Sequence, residues 1–123
     1  MFSFGCAMSL KIVQTGCSGT RNYGDELSHR SVRRLIRRVV PDAHITQLGS
    51  KLDILSDVHA DADEVISFGF KDECLEAVTE ADCWIYGPGT VMTDGPAMPM
   101  AMGYFEANQN VIIWGVGSGV IHE

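Results

Sequence analysis

The sequence lacks any apolar run approaching the roughly 20 residues with which a helix crosses a bilayer. Residues 1–10 are mostly apolar, but they carry no charged leading segment and are too short for the core of a secretion signal. We therefore expect residues 1–9 to be peripheral to the fold, and we expect a cytoplasmic protein without a transmembrane segment. Basic charge is also in deficit, since nine Lys and Arg against 16 Asp and Glu give a net charge of −7. This balance argues against a nucleic-acid partner, because such a surface must neutralise many phosphates.

Metal-binding patterns are absent as well. The four cysteines form no Cys-x-x-Cys pair and are expected to be reduced thiols: Cys6, Cys17, Cys74 and Cys83. The acidic stretch 57–64 fails as a calcium loop, since Ala62 stands where glycine is needed and Phe68 where glutamate is needed. We interpret it as a solvated connection and predict no metal site. The histidines are scattered and give no Ser-His-Asp order: His29, His44, His59 and His122.

What the chain does contain is a regular alternation of strand and helix patterns. Strands are predicted near residues 10–15, 44–48, 64–68, 82–86 and 111–115. Helices are predicted at 24–40, 51–59, 71–81 and 98–107. This order predicts one α/β domain over residues 1–123, Rossmann-like, with about five mainly parallel strands and helices on both faces. The last strand, apolar on both faces, is expected to be buried.

The first predicted helix carries five arginines at spacings of three and four: Arg30, Arg33, Arg34, Arg37 and Arg38. Such spacing places them on one or two adjoining faces, so the apolar residues of the helix are expected to face the core: Val32, Leu35, Ile36 and Val39. The arginine face is interpreted as solvated, with docking to an anionic surface or a partner as the alternative. In the helix at 71–81, Leu75 and Val78 are expected to point inward.

Two glycine-rich turns follow two of the strands. In the first, Asn22 is placed to cap the arginine helix, and Asp25 and Glu26 favour the positive end of the helix dipole. The loop at 16–21 also lets a ligand approach the backbone, and either carboxylate can accept hydrogen bonds from sugar hydroxyls. A capping role and a ligand-binding role are both open. Because two carboxylates disfavour an anion, we expect contact with a sugar or a nucleotide rather than with a bare phosphate.

The second turn contains Gly87, Gly89, Thr90 and Asp94. Its glycines permit unusual φ angles, and its hydroxyl and carboxylate groups lie where a strand ends. Asp94 fits a ligand contact and a helix cap equally. Parallel strands place their carboxyl ends at one edge of a sheet, so both turns are expected to line one pocket, flanked by Asn22 and Asp94. No Gly-x-Gly-x-x-Gly turn is present, and no cofactor is predicted.

Three motifs in order, Asn22–Glu26, Tyr86–Thr90 and Trp114–Gly117, resemble the N-terminal half of the polysaccharide pyruvyl transferase family. The resemblance covers about residues 10–119, and it departs from the family pattern at Pro88, where a third glycine is expected. It implies half of a GT-B-like two-domain enzyme that transfers a pyruvyl group from phosphoenolpyruvate to sugar hydroxyls as a ketal. It also implies that this half holds the sugar or glycan acceptor.

The substrate-binding residues expected from the turns and the resemblance together are Asn22, Gly24, Asp25, Gly87, Gly89, Thr90 and Asp94. The histidine and arginines that the family uses on the donor have no match here, so catalytic residues are not assigned and the chain alone is expected to be inactive. The chain is interpreted as a fragment that needs a second domain. Two alternatives remain open. One is a non-catalytic interaction module, pairing as a homodimer through its last strand, and the other is a nucleotide-binding enzyme of the same fold.

Overall fold

The structure is a computed structural model that describes residues 9–16, 18–19, 23–51, 59–92 and 97–118. The strands of this part are β1 Lys11–Thr15, β2 His44–Gly49, β3 Glu64–Ser67, β4 Cys83–Tyr86, β5 Gly89–Met92, β6 Val111–Ile113 and β7 Val116–Ser118. Its helices are α1 Tyr23–Val39, α2 Lys71–Glu80 and α3 Ala97–Ala107. None of these three helices is long and apolar enough to cross a membrane.

Five strands form one sheet in the order β3-β2-β1-β4-β6, and every neighbouring pair is parallel. The predicted α/β fold and its five strands are therefore confirmed. A second, two-stranded parallel sheet of β5 and β7 was not predicted. The helix expected at 51–59 falls largely outside the described residues.

Helices cover both faces of the main sheet. One face packs against α2 and α3 around Trp84, which is fully buried and donates from Nε1 to the carbonyl oxygen of Asn108 at 2.7 Å. The Asn108 side chain in turn donates to the carbonyl oxygens of Val78 and Ala81, both at 2.9 Å. It thereby ties the end of α3 to the end of α2. The other face packs against α1 through a smaller apolar cluster that includes Ile45.

Three apolar residues expected in the core are exposed instead: Leu35 and Val39 on α1, and Leu75 on α2. On α2 the buried positions are Cys74 and Val78, one turn apart, and Leu75 is rotated away from them. On α1 the positions facing the sheet are largely taken by polar side chains, which turns Leu35 and Val39 outward.

The fifth predicted strand is also less buried than expected. Because β6 lies at the edge of the sheet, Ile112 and Ile113 are 45% and 61% exposed. Local sequence shows that a segment is apolar, but it does not show whether a second strand lies beyond it. The two cysteines in the described part, Cys74 and Cys83, are free thiols.

Candidate functional site

The two glycine-rich turns meet at the carboxyl edge of the sheet, as predicted. β1 and β4 are neighbours with Thr15 opposite Tyr86, and the Gly87 amide donates to the Thr15 carbonyl oxygen at 3.0 Å. The turns are so close that a methyl group on Gly16 would lie 3.0 Å from the carbonyl oxygen of Pro88. A methyl group on Gly115, in the third motif, would lie 3.6 Å from Pro88 Cβ. The first motif is joined to the loop after β1 through Glu26, whose Oε1 accepts a hydrogen bond from the Gly19 amide at 3.0 Å. All three sequence motifs therefore meet at or beside one edge of the sheet.

The predicted site residues fall on three elements at this edge. Gly24 and Asp25 lie in the first turn of α1, while Gly89 and Thr90 belong to β5. Gly87 has φ +114° and precedes a cis peptide bond to Pro88. Asn22 and Asp94 lie outside the described residues, so the pocket they were expected to flank is not defined. The Gly87 amide already donates to the Thr15 carbonyl oxygen, and Pro88 has no amide hydrogen. Residues 87 and 88 therefore offer an anion no pair of adjacent free amides.

Beneath the first turn lies a buried polar network between α1 and the carboxyl halves of β1 and β2. It consists of Gln14, Ser18, Glu26, His29, Arg33, Gln47 and His59, all of them buried, and Asp61 at its rim.

Arg33 is the centre of this network. Its side chain is 0% exposed and donates to Gln47 Oε1 at 2.7 Å, to His59 Nδ1 at 2.7 Å and to Asp61 Oδ1 at 2.8 Å. The expectation that the arginines of α1 form a solvated face is therefore wrong for Arg33. The expectation of a solvated connection at 57–64 is wrong for His59, which is fully buried.

The Ser18–His59 contact invites comparison with a catalytic dyad, but its hydrogen-bond direction is reversed. Arginine has only donors, so His59 Nδ1 must accept from Arg33 and the ring proton must sit on Nε2. That nitrogen lies 2.6 Å from Ser18 Oγ and donates to it. A ring already protonated at Nε2 cannot take the serine proton, so this pair is a structural contact and not an activated nucleophile.

The ionisation of the network follows from its burial. Burial, reinforced by the charge of Arg33, lowers the pKa of His59 to about 3. His59 is therefore neutral at pH 7, and the 3.3 Å contact of its Nε2 with Glu26 Oε2 is not an ion pair. Burial alone would raise the pKa of Asp61, but the hydrogen bond and charge of Arg33 outweigh it and hold that pKa below its usual value.

These shifts predict that the protein loses stability in mild acid. The unfolded chain protonates His59 near pH 6.5, and the folded chain does so near pH 3. Between these values the unfolded state binds one more proton, so the free energy of unfolding falls as pH falls, by up to about 1.4 kcal/mol per pH unit. Urea unfolding at a series of pH values should show this slope, and a shallower one in His59→Gln. Equal slopes in the two proteins would contradict the prediction.

Two acceptors in the network have no hydrogen-bond partner in the described structure, Glu26 Oε2 and His29 Nε2. His29 donates from Nδ1 to the Asp25 carbonyl oxygen at 2.7 Å, and burial lowers its pKa, so its Nε2 carries a lone pair. That nitrogen lies against Gly16, where a methyl group would be only 2.7 Å away. Glu26 Oε1 accepts the Gly19 amide at 3.0 Å, so Glu26 holds the loop. The sugar contact that the sequence predicts for Asp25 or Glu26 stays a prediction.

Sequence reasoning missed most of this network. The histidines described as scattered include His29 and His59, whose rings are 6.1 Å apart. A signal was present in the strands, because Gln14 and Gln47 each stand next to apolar residues in a predicted strand, and they are register partners in adjacent strands. Buried glutamines need partners, and Arg33 is the donor that α1 supplies.

The described residues contain no group of three or more His, Cys, Asp or Glu side chains arranged to hold a metal ion. The order and direction of the strands define a Rossmann-like α/β domain. The loops at the carboxyl ends of its neighbouring strands β1 and β4 form one surface. No protein-family model matches the chain, and no match was found among curated proteins or solved structures.

Proposed function

We propose that this chain is the acceptor-binding half of a polysaccharide pyruvyl transferase-like enzyme with a GT-B-like architecture. The observation that carries the proposal is the meeting of the three motifs at one edge of the sheet. The loop that Glu26 holds lies against Pro88, and Pro88 lies against Gly115. In the proposed reaction, one sugar hydroxyl adds to C2 of phosphoenolpyruvate while C3 takes a proton. A second hydroxyl then displaces phosphate from C2, which leaves a ketal and free inorganic phosphate.

The site chemistry favours a sugar over the phosphorylated donor on this wall. A phosphate is best held by adjacent free amides or by cations. The turn supplies no free amide at Gly87 or Pro88, and Arg33 is buried in the network away from solvent. Asp25, half-buried in the first turn of α1, supplies a carboxylate that repels phosphate and accepts hydroxyl donors.

The test is binding of a panel of methyl hexopyranosides to the ¹⁵N-labelled chain. We expect glycosides to shift the amide resonances of Gly24, Asp25, Gly89 and Thr90. Phosphoenolpyruvate should leave them unchanged, and the chain alone should release no phosphate from it. An amide shift caused by phosphoenolpyruvate, or ketal formation by this chain alone, would show that the donor is held here.

Asp25→Asn should weaken glycoside binding about tenfold, because a charge-assisted hydrogen bond becomes a neutral one worth about 1.4 kcal/mol less. The melting temperature should change little, since the Asp25 contact seen within the fold is made by its main-chain carbonyl oxygen. The matched control is Asp42→Asn, an exposed residue in the turn after α1. Equal effects of the two substitutions on binding would count against a site at Asp25.

A second candidate, a non-catalytic interaction module, is favoured by one observation. The edge strand β6 presents Ile112 and Ile113 to solvent, and an exposed apolar edge is a natural place for another chain or domain to pair. Such a module would bind no glycoside at the carboxyl edge, so the binding experiment separates it from the transferase.

A further inference from the structure

The outer face of α1 combines free arginines with exposed apolar side chains. Arg30, Arg34 and Arg38 follow one another at four-residue spacing, and none forms an ion pair with a carboxylate among the described residues. Arg34 and Arg38 are exposed, whereas Arg30 is half-buried and its charge also acts on Asp61. The other two arginines of the helix are paired, Arg33 with Asp61 and Arg37 with Asp63. No acidic residue occurs between Leu27 and Val39, so the free positive charge is not offset on the helix.

Four large apolar residues share this surface. Tyr23 and Val39 are 82% and 81% exposed, and Leu27 and Leu35 are about half exposed. We call the seven residues the α1 outer face: Tyr23, Leu27, Arg30, Arg34, Leu35, Arg38 and Val39. A solvated helix has no physical reason to expose this much apolar surface, and such patches mark binding surfaces.

We propose that the α1 outer face binds the surface of an anionic lipid bilayer. Anionic headgroups are complementary to the three free arginines, and the boundary between headgroups and acyl chains accepts tyrosine and leucine side chains. The chain as a whole carries a charge of −7 and is repelled by such a surface, so binding must be confined to this helix.

The shape of the surface favours a bilayer over an acidic protein. A helix lying on a sheet presents a convex cylinder, and its arginine and apolar residues are interleaved along it. A folded partner would need a matching groove, whereas lipid headgroups rearrange around any convex face. Arginine and lysine near an anionic surface each strengthen binding about fivefold, so three of them contribute about 125-fold, and burial of the apolar side chains adds to this.

One consequence rests on the proposed function. Gly24 and Asp25 lie in the first turn of the same helix, next to Tyr23. A bilayer bound to α1 would hold the acceptor site at the lipid surface, which favours acceptors carried on a lipid. Vesicle binding itself does not depend on the proposed function, so the two can fail separately.

The experiment is cosedimentation of the 123-residue chain with phosphatidylserine–phosphatidylcholine vesicles and with pure phosphatidylcholine vesicles. We expect binding to the first only, and loss of binding when ionic strength rises from about 0.1 M to about 1 M, where the Debye length falls to about 3 Å. Arg34→Gln/Arg38→Gln should weaken binding about 25-fold, which is fivefold for each arginine. Leu27→Ser should weaken it further without changing the circular dichroism spectrum.

The matched control is Lys51→Gln/Lys71→Gln, which removes the same charge from exposed positions off this face. It should change vesicle affinity less than twofold. Equal loss in the lysine and arginine variants, or equal binding to pure phosphatidylcholine, would overturn the proposal. The proposal would also be overturned if the chain failed to bind vesicles and bound poly-L-glutamate through the same arginines, because that result assigns the face to an acidic protein.

Discussion

Replacing Arg33 with methionine should lower the free energy of unfolding by about 3–5 kcal/mol, the cost typical of breaking a buried ion pair by removing one partner. Arg33 is 0% exposed, and its guanidinium donates hydrogen bonds to Gln47, His59 and Asp61. Methionine fills similar space but donates nothing. Gln47 Oε1 and His59 Nδ1 would be left buried without donors, and the desolvation of such groups is what makes the loss large. Urea unfolding followed by circular dichroism measures the change.

The control for Arg33→Met is Arg34→Met, the same substitution one residue along the same helix. Arg34 is exposed and has no ion-pair partner in the described part of the chain, so its loss should change stability by less than about 0.5 kcal/mol. Similar costs for the two substitutions would mean that the network around Arg33 contributes nothing beyond the general effect of removing an arginine from α1.

Gly16→Ala should cost about 2–4 kcal/mol, because the new methyl group has no room. It would lie 2.7 Å from His29 Nε2 and 3.0 Å from the Pro88 carbonyl oxygen, and the second of these is main chain and cannot rotate away. The residue also has φ +151°, which disfavours a side chain. Thermal and urea unfolding report the loss, and the same substitution should shift the amide resonances of Gly87 and Gly89.

Gly103→Ala is the control, because there the same added methyl group has room. Gly103 is inside α3 with nothing within 4 Å of an added methyl group, so alanine should stabilise the helix by about 0.5–1 kcal/mol. If Gly16→Ala were as benign as Gly103→Ala, the close approach of the two turns at the carboxyl edge would be refuted.

The sequence was sufficient to predict the fold because local patterns carry that information. The strand segments at 10–15 and 82–86 are apolar and bounded by turn residues, and each lies within a residue or two of the observed strand. The order of the strands across the sheet is not a local property. For that reason the exposure of Ile113 on an edge strand was missed, and so was the pairing of β5 with β7.

Of the candidate site, only the features that follow from the topology of a parallel sheet could be predicted from the sequence. Parallel strands share a carboxyl edge, which correctly brought the turns after Thr15 and Tyr86 together. The network under that edge depends on partners distant in sequence, since Arg33 meets Asp61 28 residues later. Arginine is rarely buried, so composition alone argued for a solvated side chain. The polar strand residues Gln14 and Gln47 were the only local sign of the network.

The position of β1 in the middle of the sheet has a consequence for how the protein is made. Among the strands that the structure describes, β1 is synthesised first, yet it lies between β2 and β4, and the contact of its Lys11 amide with Asp82 joins residues 71 positions apart. On the ribosome, β1 can pair with β2 early, but its other side must wait until β4 has left the exit tunnel. Throughout that interval the nascent chain carries an open, apolar strand edge, the kind of surface that chaperones bind and that neighbouring chains can capture.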